Sequence, residues 1–379
     1  MIIRKINIKE LIQRGKVLII YGARRTGKTT LLNEYLKETD LKYKLESGDN
    51  IRVQQVLSSQ DFSQINDYVS DYDLIAIDEA QQIPNIGMGL KIIVDNHPEI
   101  FVIVTGSSSF DLSQTIGEPL TGRKRTSTLY TFSQEELLSK YNKFELKEEL
   151  KNFLIFGLYP EVALAGKKEE KIEIINELVN SYLLKDILSF ERVKSHKHLL
   201  DLLKLLAFQV GSEVSQNELA VNLGVDVKTV GRYLDLLEKS FIIKKLGGFS
   251  RNLRNEITSK AKYYFCDNGI RNGIIMNFNS IDLRNDIGQL FENFMFIERQ
   301  KFHSNKRDVF GSYFWRTYTG KEIDLIEDKD GKLTAFEFKW SKKARTKKQK
   351  EFVDNYNPEN YYFVNESNYL DYLIEGLEN

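Results

Sequence analysis

Val17-Leu18-Ile19-Ile20-Tyr21-Gly22-Ala23-Arg24-Arg25-Thr26-Gly27-Lys28-Thr29-Thr30-Leu31-Leu32-Asn33-Glu34-Tyr35-Leu36 is the stretch on which the N-terminal fold turns. Its first five residues are a nearly continuous apolar run, the pattern of a parallel strand covered on both faces. Gly22 to Thr29 fits G-x-x-x-x-G-K-[ST] at every fixed position. From Thr30 to Leu36 the apolar residues recur at helical spacing. Strand, glycine loop and helix in that order predict a phosphate-binding loop. The glycines permit a close backbone approach, successive N–H groups point at phosphate oxygens, and the positive end of the following helix adds to the attraction. Gly22, Ala23, Arg24, Arg25, Thr26, Gly27, Lys28, Thr29 and Thr30 are the candidate ATP-binding residues. Lys28 is expected to reach the β- and γ-phosphates, and the Thr29 hydroxyl to ligate Mg²⁺.

Working outward, Asp73-Leu74-Ile75-Ala76-Ile77-Asp78-Glu79 is an apolar strand ending in two acids. Carboxylates at the C-terminal edge of a parallel sheet stand where such folds bind ligands. Asp78 is the candidate for the Mg²⁺ shell opposite Thr29, and Glu79 the candidate general base for the attacking water. Phe101 to Thr105 reads as the next buried strand; a position between the previous two would turn its polar tip toward the γ-phosphate. Its tip carries Gly106-Ser107-Ser108-Ser109, where Ser107 or Ser108 is a candidate to orient water; an ordinary Gly-Ser loop is the alternative. Leu120-Thr121-Gly122-Arg123-Lys124-Arg125 precedes a further strand from Thr126 to Tyr130. Arg123 is a candidate for an arginine that stabilises transition-state charge, on its own chain or a neighbour, against the simpler reading of a solvated basic turn. Ser133 and Glu136 form a capping box that opens the next helix.

With these residues in view, the chain resembles a known family. Gly22 to Thr30, Ile77-Asp78-Glu79-Ala80-Gln81, Thr105 to Ser109 and Thr121-Gly122-Arg123 look like the motifs of prokaryotic AAA-type ATPases. Those proteins carry a large C-terminal domain of unknown function. The resemblance continues through Phe156-Gly157-Leu158-Tyr159-Pro160-Glu161-Val162 and Trp315 to Lys339, although the family usually has two glycines before Tyr-Pro. It implies a P-loop NTPase parallel sheet followed by other modules.

In the middle of the chain, Lys167 to Lys194 has helical character, with Ile172, Ile175, Leu178, Tyr182 and Leu183 on one face. Leu199 to Val210 is a second helix, stopped near Gly211. Ser215 to Leu234 has the form of a helix-turn-helix: a Ser215/Glu218 capping box, termination at Gly224, and a second helix from about Asp226 to Ser240. Phe241–Leu246 and Lys262–Phe265 supply strands for a wing. Lys228, Thr229 and Arg232 are placed for DNA, but Asp235, Glu238 and Glu218 dilute the charge, so packing or subunit contact is the favoured alternative.

Toward the C-terminus, Asp286 to Met295 starts an amphipathic helix bearing Glu292. Glu322-Ile323-Asp324-Leu325-Ile326-Glu327 and Leu333-Thr334-Ala335-Phe336-Glu337-Phe338-Lys339 then flank the turn Asp328-Lys329-Asp330-Gly331. This looks like the PD-(D/E)xK core of restriction-type nucleases. There Asp324 and Glu337 would hold a divalent ion, Mg²⁺ or Mn²⁺, and Lys339 would act on the attacking water. A hairpin closed by Asp328 and Gly331 sets Asp324 opposite Ala335, with Glu337 diagonal to it on the same face. A Gly331 bulge would slip that pairing. Lys339, Lys342, Lys343, Arg345, Lys347, Lys348 and Lys350 form one dense basic run, either a phosphate-backbone contact or a solvated face.

The composition is compatible with all of this and excludes several classes. There are 379 residues, with 54 Lys+Arg against 54 Asp+Glu. Any nucleic-acid surface must therefore be local. One cysteine, Cys266, excludes an internal disulfide framework, and His97, His196, His198 and His303 lack zinc-enzyme spacing. The charged opening does not read as a secretory signal and no apolar run is long enough for a bilayer, so a cytoplasmic protein is the expectation. The expected fold class is α/β: an AAA-type ATP-binding domain (1–140), an α-helical and winged-helix domain (141–275) and a restriction-endonuclease-like α/β domain (276–379). The expected activity is Mg²⁺-dependent ATP hydrolysis coupled to the C-terminal half. An ATP-regulated DNA endonuclease and a nucleotide-dependent binding module without cleavage are the alternatives, with self-association left open.

Overall fold

The computed structural model describes residues 2–107, 119–183, 195–250, 261–317, 319–342 and 347–374. Ser108, Ser109, Lys343, Arg345 and the end of the expected helix beyond Leu183 lie outside them. The chain forms two compact units, one of residues 4–130 with 239–241, the other of residues 1–3, 131–238 and 242–379. Among the described residues no helix is long and apolar enough to cross a membrane.

The first unit is built on a parallel sheet of five described strands: β1 (Val17–Tyr21), β2 (Tyr43–Ser47), β3 (Leu74–Asp78), β4 (Phe101–Gly106) and β5 (Lys124–Thr128), in the order β2-β3-β4-β1-β5. All five residues of β1 are buried. Val17, Ile19 and Tyr21 pack into one apolar cluster and Leu18 and Ile20 into another, so both faces of the strand are covered. That explains why its sequence runs apolar without alternation. β4 lies between β1 and β3, the position that puts its polar tip beside the phosphate loop. β5 begins two residues earlier than the sequence suggested, because its pairing with β1 starts at Lys124 opposite Val17.

The second unit is organised by a sheet of seven described strands which, in spatial order, are Asn360–Val364, Lys332–Phe338, Glu322–Lys329, Gly311–Arg316, Ile243–Gly248, Ala261–Phe265 and Glu213–Val214. β6 (Glu213–Val214), β7 (Ile243–Gly248) and β8 (Ala261–Phe265) pair antiparallel around the helices His196–Phe208, Gln216–Leu223 and Val227–Lys239. Ser215 caps the Gln216–Leu223 helix by accepting from Glu218 N–H, and Gly224 ends it at φ 65°. β9 (Gly311–Arg316), β10 (Glu322–Lys329), β11 (Lys332–Phe338) and β12 (Asn360–Val364) complete the sheet, with the long helix Ile287–Lys306 packed on β8 and β11. β7 pairs with β9 at Gly247↔Tyr313 and Gly248↔Phe314. The sheet therefore runs without a break across the boundary expected at 275/276, and the last two expected domains share one body.

The hairpin register corrects one expectation. Lys329 pairs with Lys332 and Leu325 with Phe336, so the loop is Asp330-Gly331 rather than the pair inside Asp328 and Gly331. Both loop residues have positive φ, 54° and 80°, the type I′ geometry that Asp-Gly favours. The register thus moves by two residues, which preserves the face. Continued one residue further, it sets Asp324 opposite Glu337 instead of diagonal to it.

Candidate functional site

The phosphate loop leaves the carboxyl end of β1 and enters the helix Lys28–Glu38 through Gly27 at φ 95°. A Cβ on Gly22 would stand 2.2 Å from the Leu129 carbonyl oxygen, so only glycine lets the loop start against that backbone. Lys28 is buried at 4% exposure, and its ammonium donates to the carbonyls of Gly22 (2.9 Å) and Ala23 (3.0 Å). The Thr26 hydroxyl donates to the Ala23 carbonyl at 2.9 Å. The lysine therefore already lies within the curve of the loop.

Facing it, the end of β3 brings in the two acids. The Thr29 hydroxyl donates to Asp78 Oδ2 at 2.7 Å, and the Thr105 hydroxyl donates to the other carboxylate oxygen. Thr105 also accepts from the Glu79 N–H at 3.1 Å. Glu79 has φ 51°, a left-handed conformation uncommon for a side-chain-bearing residue and frequent at functional positions. The Gln81 amide donates to the Glu79 carboxylate and to the Ser107 hydroxyl, the latter at 3.0 Å. Lys28, Thr29, Asp78, Glu79 and Ser107 thus stand on elements that meet at one edge of the sheet. Thr105 and Gln81 join them, although sequence reasoning gave neither a role; a threonine at the tip of a buried strand was the only signal for the first.

These donors fit a magnesium-bound triphosphate. Thr29 and Asp78 offer hard oxygen ligands, Lys28 a buried cation, and the loop a backbone curve whose start is held against Leu129 by Gly22. Arg123 is elsewhere. Its carbonyl accepts from Val17 N–H at the amino end of β1, about 16 Å of strand from the loop, and its guanidinium pairs with Asp95. The reading in which Arg123 serves its own chain's phosphates is therefore corrected: a parallel β5 carries this residue to the opposite edge.

In the second unit, Asp324, Glu337 and Lys339 do come together. Asp324 Oδ2 accepts from Phe338 N–H at 2.7 Å and from the Lys339 ammonium at 3.4 Å. It sits where β10 shifts register against β9, between Ile323 and Ile326, an irregularity that re-aims a side chain. Glu337 accepts from the Tyr361 hydroxyl, which itself accepts from Gln349 N–H at 3.2 Å. The Lys348 ammonium lies 5.6 Å from the Tyr361 ring, so one end of the basic run borders this centre. Burial would lower the Lys339 pKa, but Asp324, Glu337 and Glu292 raise it on balance. Burial pushes Glu337 up, helped by Asp324 and opposed by Tyr361 and Lys339.

Glu292 joins from the long helix, and it is held by two residues of β8. The Tyr264 hydroxyl donates to Glu292 Oε1 at 2.6 Å, and the Lys262 ammonium reaches the same oxygen at 3.1 Å while also contacting Glu322. Burial and the nearby Asp324 push Glu292 up to about 7 against the pull of Lys262 and Tyr264. The acids of this centre are matched by donors of the chain itself rather than gathered around a place for a divalent ion. Among the described residues no three His, Cys, Asp or Glu side chains are grouped to hold one, and each carboxylate already has a donor.

Comparison with known proteins matches three successive segments of the chain. Residues 14–138 match the family described as an AAA domain. Residues 147–280 and 287–376 match two families each described as a domain of unknown function, DUF8612 and DUF4143. An uncharacterized protein of Methanocaldococcus jannaschii is 25% identical over 356 residues, covering 87% of this chain and 77% of the relative. One of Haemophilus influenzae is 28% identical, covering 79% and 78%, and one of Mycobacterium tuberculosis 24% identical, covering 88% and 72%. Among solved structures, one described as a DNA replication initiation factor has 19% identity and a TM-score of 0.26 over 61% of this chain and 84% of that one. Domain III of the Thermotoga maritima replication initiation protein DnaA has 15% identity and a TM-score of 0.27, over 58% and 83%. The AAA match takes in the phosphate loop, the acids of β3 and the tip of β4. Together with the parallel sheet it shows a P-loop, nucleotide-binding fold of AAA type for the N-terminal segment.

Proposed function

We propose that this chain is a Mg²⁺-dependent ATPase whose nucleotide state controls the body formed by its C-terminal half. The observation that carries this is the convergence of Lys28, the Thr29–Asp78 pair and Glu79 at one sheet edge. Lys28 and the amides from Gly22 to Thr30 hold the phosphates, and Thr29 and Asp78 hold Mg²⁺, which when bound neutralises phosphate charge. Glu79 takes the proton of the attacking water, with its backbone fixed by Thr105 and its carboxylate oriented by Gln81. Ser107, tied to Gln81, orients that water. Arg123 contributes only to a neighbouring chain's site, if the protein self-associates.

Two variants test this reading. Lys28→Ala abolishes ATP-dependent thermal stabilisation. Glu79→Gln retains bound ATP but does not turn it over; unchanged turnover removes Glu79 from the mechanism.

The order helix, β6, two helices, β7 and β8 supports a winged helix in the second unit, with Lys228 and Arg232 on its second helix as candidate DNA contacts. A second reading, an ATP-regulated DNA endonuclease, draws on the meeting of Asp324, Glu337 and Lys339. Plasmid DNA with Mg²⁺ or Mn²⁺ tests it: cutting lost in Asp324→Ala and Lys339→Ala supports cleavage. Intact plasmid throughout leaves the nucleotide-dependent binding module.

A further inference from the structure

Lys262 enters the C-terminal centre from β8, and its side chain is 1% exposed. Its ammonium contacts two carboxylates, Glu292 from the long helix and Glu322 from β10. Asp324 lies close enough to act on both Lys262 and Glu292 electrostatically. Tyr264, two residues along and on the same face of β8, supplies a second donor to the same Glu292 oxygen.

The electrostatic problem of this centre is a crowd of acids drawn out of water. Carboxylates gathered in a buried site repel one another and lose hydration unless a cation stands among them. A divalent ion is one solution and a covalently attached ammonium is another. Here the ammonium is built in, and it is fixed by the strand rather than exchanged with solvent. Burial would lower the Lys262 pKa, yet Glu292, Glu322 and Asp324 raise it on balance, so it stays charged. The hydrogen bonds of Asp324 to Phe338 N–H and of Glu337 to the Tyr361 hydroxyl leave the remaining acids satisfied as well.

We propose that Lys262 stands in place of a divalent ion, making the nuclease-like centre a metal-independent ion cluster that ties β8 to the long helix and β10 without cleaving phosphodiesters. This rests on reading the centre as nuclease-like. It separates the chemistry of the second unit from the Mg²⁺ requirement of the first.

The test is Mn²⁺ titrated calorimetrically into the full-length chain without nucleotide, comparing wild type with Asp324→Asn. The two isotherms coincide; a Mn²⁺ heat present in wild type and lost in Asp324→Asn overturns the inference. Lys262→Ala then opens the vacated position, and its Mn²⁺ affinity rises at least about tenfold, a gain abolished by adding Asp324→Asn. A folded Lys262→Ala protein with the wild-type isotherm also overturns it. Should that variant fail to fold, the wild-type comparison still decides. ATP-dependent stabilisation, measured in the same samples, depends on Lys28; its absence would strike the nucleotide reading and leave this inference standing.

Discussion

Thr29 and Asp78 share a 2.7 Å hydrogen bond from hydroxyl to carboxylate across 49 residues of sequence. One stands in the first turn after the phosphate loop and the other at the carboxyl end of β3, two strands away in the sheet. The bond holds a hydroxyl and a carboxylate side by side, so the two groups proposed to hold Mg²⁺ are brought together by the fold.

Thr105 supports that arrangement from β4, through one bond to Asp78 and one from the Glu79 N–H. Replacing it with valine keeps the shape and leaves the partly buried Glu79 N–H without its acceptor, a loss on the order of 1 kcal/mol. Thr105→Val should lower ATP turnover by about tenfold or more while changing ATP affinity far less. Steady-state hydrolysis beside equilibrium nucleotide binding separates the two, and equal losses in both would count against a positioning role.

Gly22→Ala drives a methyl group to within 2.2 Å of a backbone oxygen at Leu129, a contact no side-chain rotation relieves. The loop must shift, and ATP binding should fall below detection in a thermal-shift assay. Circular dichroism should remain that of the folded chain, because β1 itself is unaltered.

Arg123→Ala removes a pairing with Asp95 at the amino edge of the sheet. ATP affinity should be unchanged, since the residue is remote from its own phosphate loop. A marked loss of binding in dilute protein would contradict the placement of β5.

Glu327 is buried beside Arg299 and His303. Burial alone would raise its pKa, but Arg299 and His303 hold it down at about 2. With the folded pKa below the unfolded one, the pair's contribution is complete above pH of about 4.5 and is lost as pH falls toward 2. That contribution is on the order of 3 kcal/mol. Denaturant unfolding between pH 2 and 6 should show this acid limb in wild type and a flatter one in Glu327→Gln. Parallel slopes would exclude Glu327 as its source.

Local chemistry made much of this legible beforehand. The apolar continuity of Val17 to Tyr21, the capping box of Ser133 with Glu136, and the stop at Gly224 each follow from a few neighbouring residues, and each is present. The hairpin was legible only in part: a two-residue turn was expected, but the preference of Asp330-Gly331 for positive φ set it one residue further along than the pair inside Asp328 and Gly331. Lys262 was not. Nothing in Ala261-Lys262-Tyr263-Tyr264 says that a strand lysine will be buried among acids 30 and 60 residues away.

The amino-acid order alone determined the phosphate loop, the strands that flank it and the identity of the acids at their tips, because backbone freedom and apolar period act over short distances. Tertiary structure alone decided which of these groups meet. Parallel pairing sent Arg123 to the far edge, the sheet shared by β7 and β9 fused two expected domains, and β8 delivered an ammonium to Glu292 and Glu322. Electrostatic partnership depends on distance in space, and that distance is set only when the sheet has formed.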